Sequence, residues 1–217
     1  MDGSNRTRWM ITGANGNLGK RLLQNLLLNA DTEVVALVRS ERAKSQIEEL
    51  PLEPQQRSRL YVVIADYASK QDLEAAAEGV NYCVHLVGIL KETPDSTYEN
   101  AHEDSCRALT EALQGGSAAH ISYVSIVGAL ETATNRCLKS KSIAGDMLLK
   151  STTKTMVLRV PMVLGEGDYA SYALRRNALK SLNFLFRPSS MDQPLYAGDV
   201  VRACLLYTSD AADDRIC

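Results

Sequence analysis

The residues with the clearest chemistry are Gly13, Gly16 and Gly19, which recur at intervals of three in the stretch I-T-G-A-N-G-N-L-G-K from Ile11 to Lys20. Glycines so spaced suit a strand-to-helix turn beneath a pyrophosphate. Gly13 permits the sharp turn, Gly16 lets backbone approach phosphate, and Gly19 allows close packing of helix on strand. With Asn15, Asn17 and Leu18 they form a cradle whose contribution is mainly backbone N–H groups, at the positive end of the helix dipole. A glycine- and asparagine-rich loop with no ligand is the alternative. The setting argues against it, because Trp9-Met10-Ile11 reads as a short strand and Leu18, Leu22, Leu23, Leu26 and Leu27 share one helical face.

Three further positions carry chemistry at strand ends. Arg39 follows the β-branched run E-V-V-A-L-V, twenty positions after Gly19, where an acidic residue would hold the ribose 2′-hydroxyl of NAD. Arg39, with Ser40 and Arg42 nearby, instead suits the 2′-phosphate of NADP, so NADP is favoured over NAD; a solvated Arg at a helix start is the alternative. Asp66-Tyr67 closes the run L-Y-V-V-I-A, and Asp66 reads equally as a partner for the adenine amino group or as the N-cap of a helix over 69–78. Val87-Gly88 follows a fourth strand, Val80 to Leu86, with Gly88 leaving room for a cofactor.

The elements that must position these residues alternate. Further helices are expected near 43–50, 97–113 and 138–150, with strands at 119–125 and 155–160, and the Pro-containing segment 51–58 as a surface connection. Such alternation predicts an α/β fold with a doubly wound parallel sheet, Rossmann-like, whose ligands lie at the carboxyl ends of the strands. Gly13, Arg39, Asp66 and Gly88 all fall at such ends.

Composition narrows the partners. The chain has 217 residues, 45% of them hydrophobic, enough for one sizeable core, and a net charge of −2 with no long basic block, which disfavours nucleic acid. No run approaches bilayer length and the first residues lack the apolar stretch of a signal peptide, so a cytoplasmic protein without an integral membrane segment is expected. Five cysteines without a CxxC pair fit a reducing compartment, and three histidines without ligand spacing predict no metal.

The cradle, L-V-R-S, V-H-L-V-G-I-L-K-E, T-Y-E-N-A-H-E-D-S-C-R-A-L-T-E-A-L and the R-V-P segment at 159–161 together resemble the short-chain dehydrogenase/reductase superfamily, over roughly 8–204. Within it, the chain looks like an atypical, extended member, similar to the nucleotide-binding accessory subunit of respiratory complex I and to NADP-sensing nitrogen-regulator-like proteins. The resemblance implies that backbone around Pro161 and Val163 lies along the nicotinamide, and that Asp199 caps a later helix. Active members use a Tyr, a Lys four residues on, and an upstream Ser, as proton donor, pKa-lowering cation and carbonyl-orienting hydroxyl. Here C-L-K-S-K places Lys141 at the lysine and Cys137 at the tyrosine, with Ser125 as the candidate hydroxyl. Lys141 is the tentative catalytic residue and, more readily, a ligand of the cofactor ribose; a solvated helix start is the bland alternative for Lys139 and Lys141. Cys137 is too short to replace a phenol well, and Tyr123 reads as packing.

Residues 204–217 depart from the fold's pattern and look like translated sequencing-adapter read-through, so 1–203 is expected to be the dinucleotide-binding domain, with its C-terminal part truncated. The leading expectation is an NAD(P)-binding protein whose nucleotide has a structural or sensing role, or supports non-standard redox chemistry. The rivals are an NAD(P)-dependent reductase or epimerase on a small carbonyl or nucleotide-linked substrate, and an accessory or assembly factor of a respiratory complex, with a protein as its second partner.

Overall fold

A computed structural model describes residues 6–182 and 193–210. The first strand, β1 (Thr7–Thr12), enters the core at once: Met10 and Ile11 are fully buried, so both faces of the strand must be covered. Helix α1 (Asn17–Leu26) supplies part of that cover by burying Leu22, Leu23 and Leu26 on one stripe. The chain continues through β2 (Thr32–Val38), α2 (Glu41–Glu48), α3 (Pro54–Arg57), β3 (Leu60–Ile64), α4 (Lys70–Ala76) and β4 (Tyr82–His85). A π-helical stretch over Glu99–Asp104 leads into α5 (Ser105–Leu113). Then follow β5 (His120–Ile126), α6 (Arg136–Leu149), β6 (Lys154–Val160), β7 (Val163–Leu164), α7 (Tyr169–Ala178), β8 (Leu195–Tyr196) and α8 (Ala197–Asp210).

Six strands pair in parallel in the order β3-β2-β1-β4-β5-β6, the doubly wound order expected of a Rossmann-like fold, and β7 pairs with β8 separately. One core, with Ile11, Leu22, Ala36, Ile47 and Val201, lies between the sheet and α1, α2 and α8. The other, with Met10, Leu73, Leu109, Ile121 and Leu148, lies under α4, α5 and α6. The strand order reverses beside β1, between β2 and β4, which opens a crevice at their carboxyl ends.

Three local expectations are corrected. The connection at 51–58 contains the short helix α3, started by Pro54 and by a reciprocal capping box between Glu53 and Gln56. The helix expected over 97–113 begins with wide π turns. Asp199 lies within the first turn of α8 rather than capping it, where its charge still suits the dipole. Helix α8 also runs on past Ala203, with Cys204 and Thr208 buried; 211–217 of the read-through stretch lie outside the described residues.

Arg59 fastens the opposite edge of the sheet. It is 6% exposed, and its guanidinium donates to the carbonyls of Leu27, Asn29, Thr32 and Gln55 at 2.6–3.2 Å, tying the end of α1 to the starts of β2 and β3. Removing it leaves several buried carbonyls without a partner. Arg59→Met should lower stability to urea unfolding by about 3 kcal/mol; a loss under about 0.5 kcal/mol would show that water satisfies those carbonyls equally well.

Candidate functional site

Gly13 turns off β1 with φ +70°, and a Cβ there would stand 3.3 Å from the Leu86 carbonyl carbon. The first loop therefore presses against the loop after β4. At Gly19 a Cβ would meet the carbonyl oxygens of Gly13 and Ala14 at 2.6 Å, so α1 packs on the loop at a distance only glycine allows. Gly16 is the N-cap of α1; no side chain caps the helix and no acidic residue stands in its first turn. Its leading N–H groups are left for an anion. Of the other cradle residues, Asn17 accepts from Arg21 at 3.2 Å, Asn15 donates weakly to Gln46 at 3.4 Å, and Leu18 packs on the core, so their side chains are already engaged.

The ends of the first three strands are organised by Tyr67. Its hydroxyl accepts from the Gly13 N–H at 2.9 Å and donates to the Leu37 carbonyl at 2.8 Å, which ties the ends of β1, β2 and β3 together. Burial pushes that phenol up to about 12, so it stays protonated. Arg39 is exposed, with its guanidinium 6.0 Å from the Tyr67 ring centroid, and no carboxylate pairs with it among the described residues. Ser40 is spent on capping α2, accepting from Ala43 at 3.3 Å. Asp66 is not the cap of the helix after it. Ser69 caps α4, while the Asp66 carboxylate accepts from Ala68 and remains exposed.

Gly13, Asn15, Gly16, Arg39, Tyr67, Val87 and Gly88 line one cleft of about 160 Å³. It shares Leu86, Gly88 and Ile89 with a cavity of about 560 Å³ that reaches Ser125, Lys141, Pro161 and Val163. The cleft and the cavity thus place all the expected positions except Asn17, Leu18, Gly19 and Asp66 along one crevice at the carboxyl edge.

Lys141 is the unusual group. It is 5% exposed, and its ammonium donates to the carbonyls of Val87 at 3.2 Å and Val124 at 3.4 Å and lies 4.6 Å from the Tyr123 ring centroid. Burial lowers it to about 8 against the pull of neighbouring thiols. A Cβ on Gly88 would stand 2.6 Å from its Nζ, so the glycine makes room for the lysine as well as for any ligand. Ser125 lines the larger cavity but is only 1% exposed, and its hydroxyl is a buried polar atom with no hydrogen-bond partner among the described residues. Cys137 sits one helical turn before Lys141, but its thiol points to the Ile89 carbonyl at 3.5 Å and burial raises its pKa. Tyr123 is fully buried, as expected of a packing residue.

The histidines were not marked by their spacing. The wide π turns bring His102 Nε2 to 3.1 Å from both the N–H and the carbonyl oxygen of Ile89, with the ring stacked on Tyr98 and buried Nδ1 unpartnered. His85 bonds Thr12 at 2.8 Å across the β1–β4 junction. Burial, then the Lys141 charge, lower His102 to about 4 and His85 to about 3, so both stay neutral. The His102 contact depends on a wide turn that the N-A-H-E-D-S sequence does not announce. No group of three or more His, Cys, Asp or Glu that could hold a metal occurs among the described residues.

Comparison with known proteins bears on the family and the fold. A protein family described as NAD(P)H-binding matches residues 13–179. A ceramide reductase from Caulobacter vibrioides is 27% identical over 171 residues, 79% of this chain and 51% of that protein, so the chain spans about half the length of this curated relative. Among solved structures, UDP-glucuronic acid 4-epimerase from Bacillus cereus in complex with NAD superposes with a TM-score of 0.76 at 17% identity, covering 94% of this chain and 74% of that one. Vestitone reductase from alfalfa does so with 0.70 at 18% identity, covering 94% and 73%. Pen from Bacillus thuringiensis gives 0.74 at 16% identity, covering 94% and 65%. These three share the fold. No described helix is long and apolar enough to cross a membrane.

The buried lysine makes stability depend on pH. Between about 8 and its ordinary 10.5 the unfolded chain holds a proton on Lys141 that the folded chain has released, so stability rises with pH in that window. The difference in unfolding free energy between wild type and Lys141→Met should grow by about 1 kcal/mol per pH unit from pH 8 to 10 and be flat below pH 7. Parallel curves would show that the lysine is ionised normally in the folded protein.

Proposed function

The chain belongs to the NAD(P)H-binding family, and on that premise we propose that it is an NADP-dependent, reductase-like protein acting on a carbonyl group. The observation that carries this reading is the pairing, in one crevice, of an uncapped helix N-terminus behind Gly16 with an unpartnered Ser125 hydroxyl and a buried Lys141 ammonium. In it, the backbone of residues 13–19, including Asn15, Asn17 and Leu18, holds the pyrophosphate. Arg39, free of any described carboxylate, pairs with a 2′-phosphate, and Asp66 faces the adenine. Tyr67 holds the cradle in shape through Gly13 rather than touching phosphate. Val87, Gly88, Pro161 and Val163 form walls beside the nicotinamide, and Lys141 holds the ribose. When bound, the dinucleotide supplies hydride chemistry; the chain's part is to orient a carbonyl with Ser125 and to place positive charge near it with Lys141.

A second reading, in which the nucleotide is sensed or structural, is favoured by Cys137. The position where active relatives of this fold are expected to carry a phenol holds a thiol, whose sulfur is directed to the Ile89 carbonyl at 3.5 Å. Both readings require the same cofactor preference. Titration with NADPH and NADH, followed by fluorescence, should show Arg39→Asp binding NADPH at least about tenfold more weakly, as expected for loss of a charged hydrogen bond. NADH binding should be kept or tightened, because an acidic residue there suits the ribose 2′-hydroxyl. An unchanged preference for NADPH would remove Arg39 from the cofactor's recognition.

A further inference from the structure

The cavity beyond Gly88 lies between the ends of β4, β5 and β6 and measures about 560 Å³. Only two of its lining side chains are polar, Ser125 and Lys141; the rest are aliphatic, or are Pro161, Met162 and Gly88. Part of the backbone around it is already engaged. Lys141 occupies the carbonyls of Val87 and Val124, and His102 lies within hydrogen-bond distance of both polar groups of Ile89. The Val127 N–H donates to the Val160 carbonyl, the Leu195 N–H donates to the Met162 carbonyl, and Pro161 has no N–H to offer. A ligand therefore finds polar side-chain partners at one end of the cavity alone. A further hydroxyl buried against the aliphatic lining loses water without a replacement, which weakens binding by roughly threefold to thirtyfold. A sugar ring, with a hydroxyl on most carbons, is a poor match for such a lining.

Three of the apolar side chains that line the cavity also reach the surface: Leu90 is 79% exposed, Val127 56% and Met162 42%. Apolar surface gathered at the mouth of a pocket is suited to covering the body of an apolar ligand. We propose that this cavity takes an apolar ketone, with its oxygen at Ser125 and Lys141 and its hydrocarbon chain leaving across Leu90, Val127 and Met162. The proposal rests on the dinucleotide reading above, and narrows its substrate to hydrocarbon ketones over nucleotide-linked sugars.

The test uses the whole chain saturated with NADP⁺, which cannot reduce a ketone, so that binding is read without turnover. Calorimetric titration with butan-2-one, hexan-2-one and octan-2-one should show affinity rising by up to about fourfold per added methylene. Leu90→Asp and Val127→Asp should each flatten that rise and weaken octan-2-one at least about tenfold, while NADP⁺ titration of the same variants confirms a folded, loaded protein. Affinity independent of chain length, an undiminished rise in both variants, or tighter binding of UDP-glucose than of octan-2-one would overturn the proposal while leaving the dinucleotide reading intact. Failure to bind NADP⁺ at all would overturn that reading, and this one with it.

Discussion

The site depends on how closely the ends of β1 and β4 approach each other. Gly13 comes so near the Leu86–Val87 peptide that a side chain there would touch backbone at 3.3 Å, and Thr12 bonds His85 across the same junction. Because β1 pairs with β2 on its other side, this is where the strand order reverses. The crevice is thus a product of topology, held to its width by a glycine and a hydroxyl–imidazole bond. Tyr67 adds a third tie by joining Gly13 to Leu37, so the loop that would face an anion is braced before any ligand arrives. Such bracing lowers the ordering cost of binding.

The same junction leads to the buried lysine. Lys141 has no carboxylate partner among the described residues; two carbonyls and the face of Tyr123 hold its ammonium. Burying a cation on such terms is costly, and its depressed basicity reports that cost. Around it lie His102, His85 and the thiols of Cys106 and Cys137, all kept neutral by burial at ordinary pH. Among the described residues that line the cavity, Lys141 is the one ionisable side chain, and the Ser125 hydroxyl there has no partner. Evolution tolerates strained electrostatics of this kind mainly where function needs it.

Most of the architecture was legible in the chain because local periodicity and topology agree. The six strands of the main sheet and the glycine cradle follow from apolar runs and turn residues, and the placement of Arg39, Gly88, Ser125 and Lys141 at the carboxyl edge follows from those. What was not legible depends on contacts between distant residues. Asp66 and Ser69 compete for the cap of α4, and only the geometry of the turn gives it to Ser69. Tyr67 reads as a residue beside a ligand, yet its hydroxyl is taken up by Gly13 and Leu37. Gly88 reads as space for a cofactor, and the space is shared with Lys141 from a helix more than fifty residues later. His102 reaches Ile89 through π turns that no spacing predicts.

The central claim is that the carboxyl edge of this sheet holds a dinucleotide, with its pyrophosphate at the start of α1 and its nicotinamide toward Ser125 and Lys141. Diffraction from crystals grown with NADP⁺ tests it most directly. The account predicts phosphate oxygens about 3 Å from backbone N–H groups at the start of α1, and the ring in the cavity beyond Gly88. A dinucleotide bound elsewhere on the chain, or with its ring turned away from Ser125 and Lys141, would contradict it.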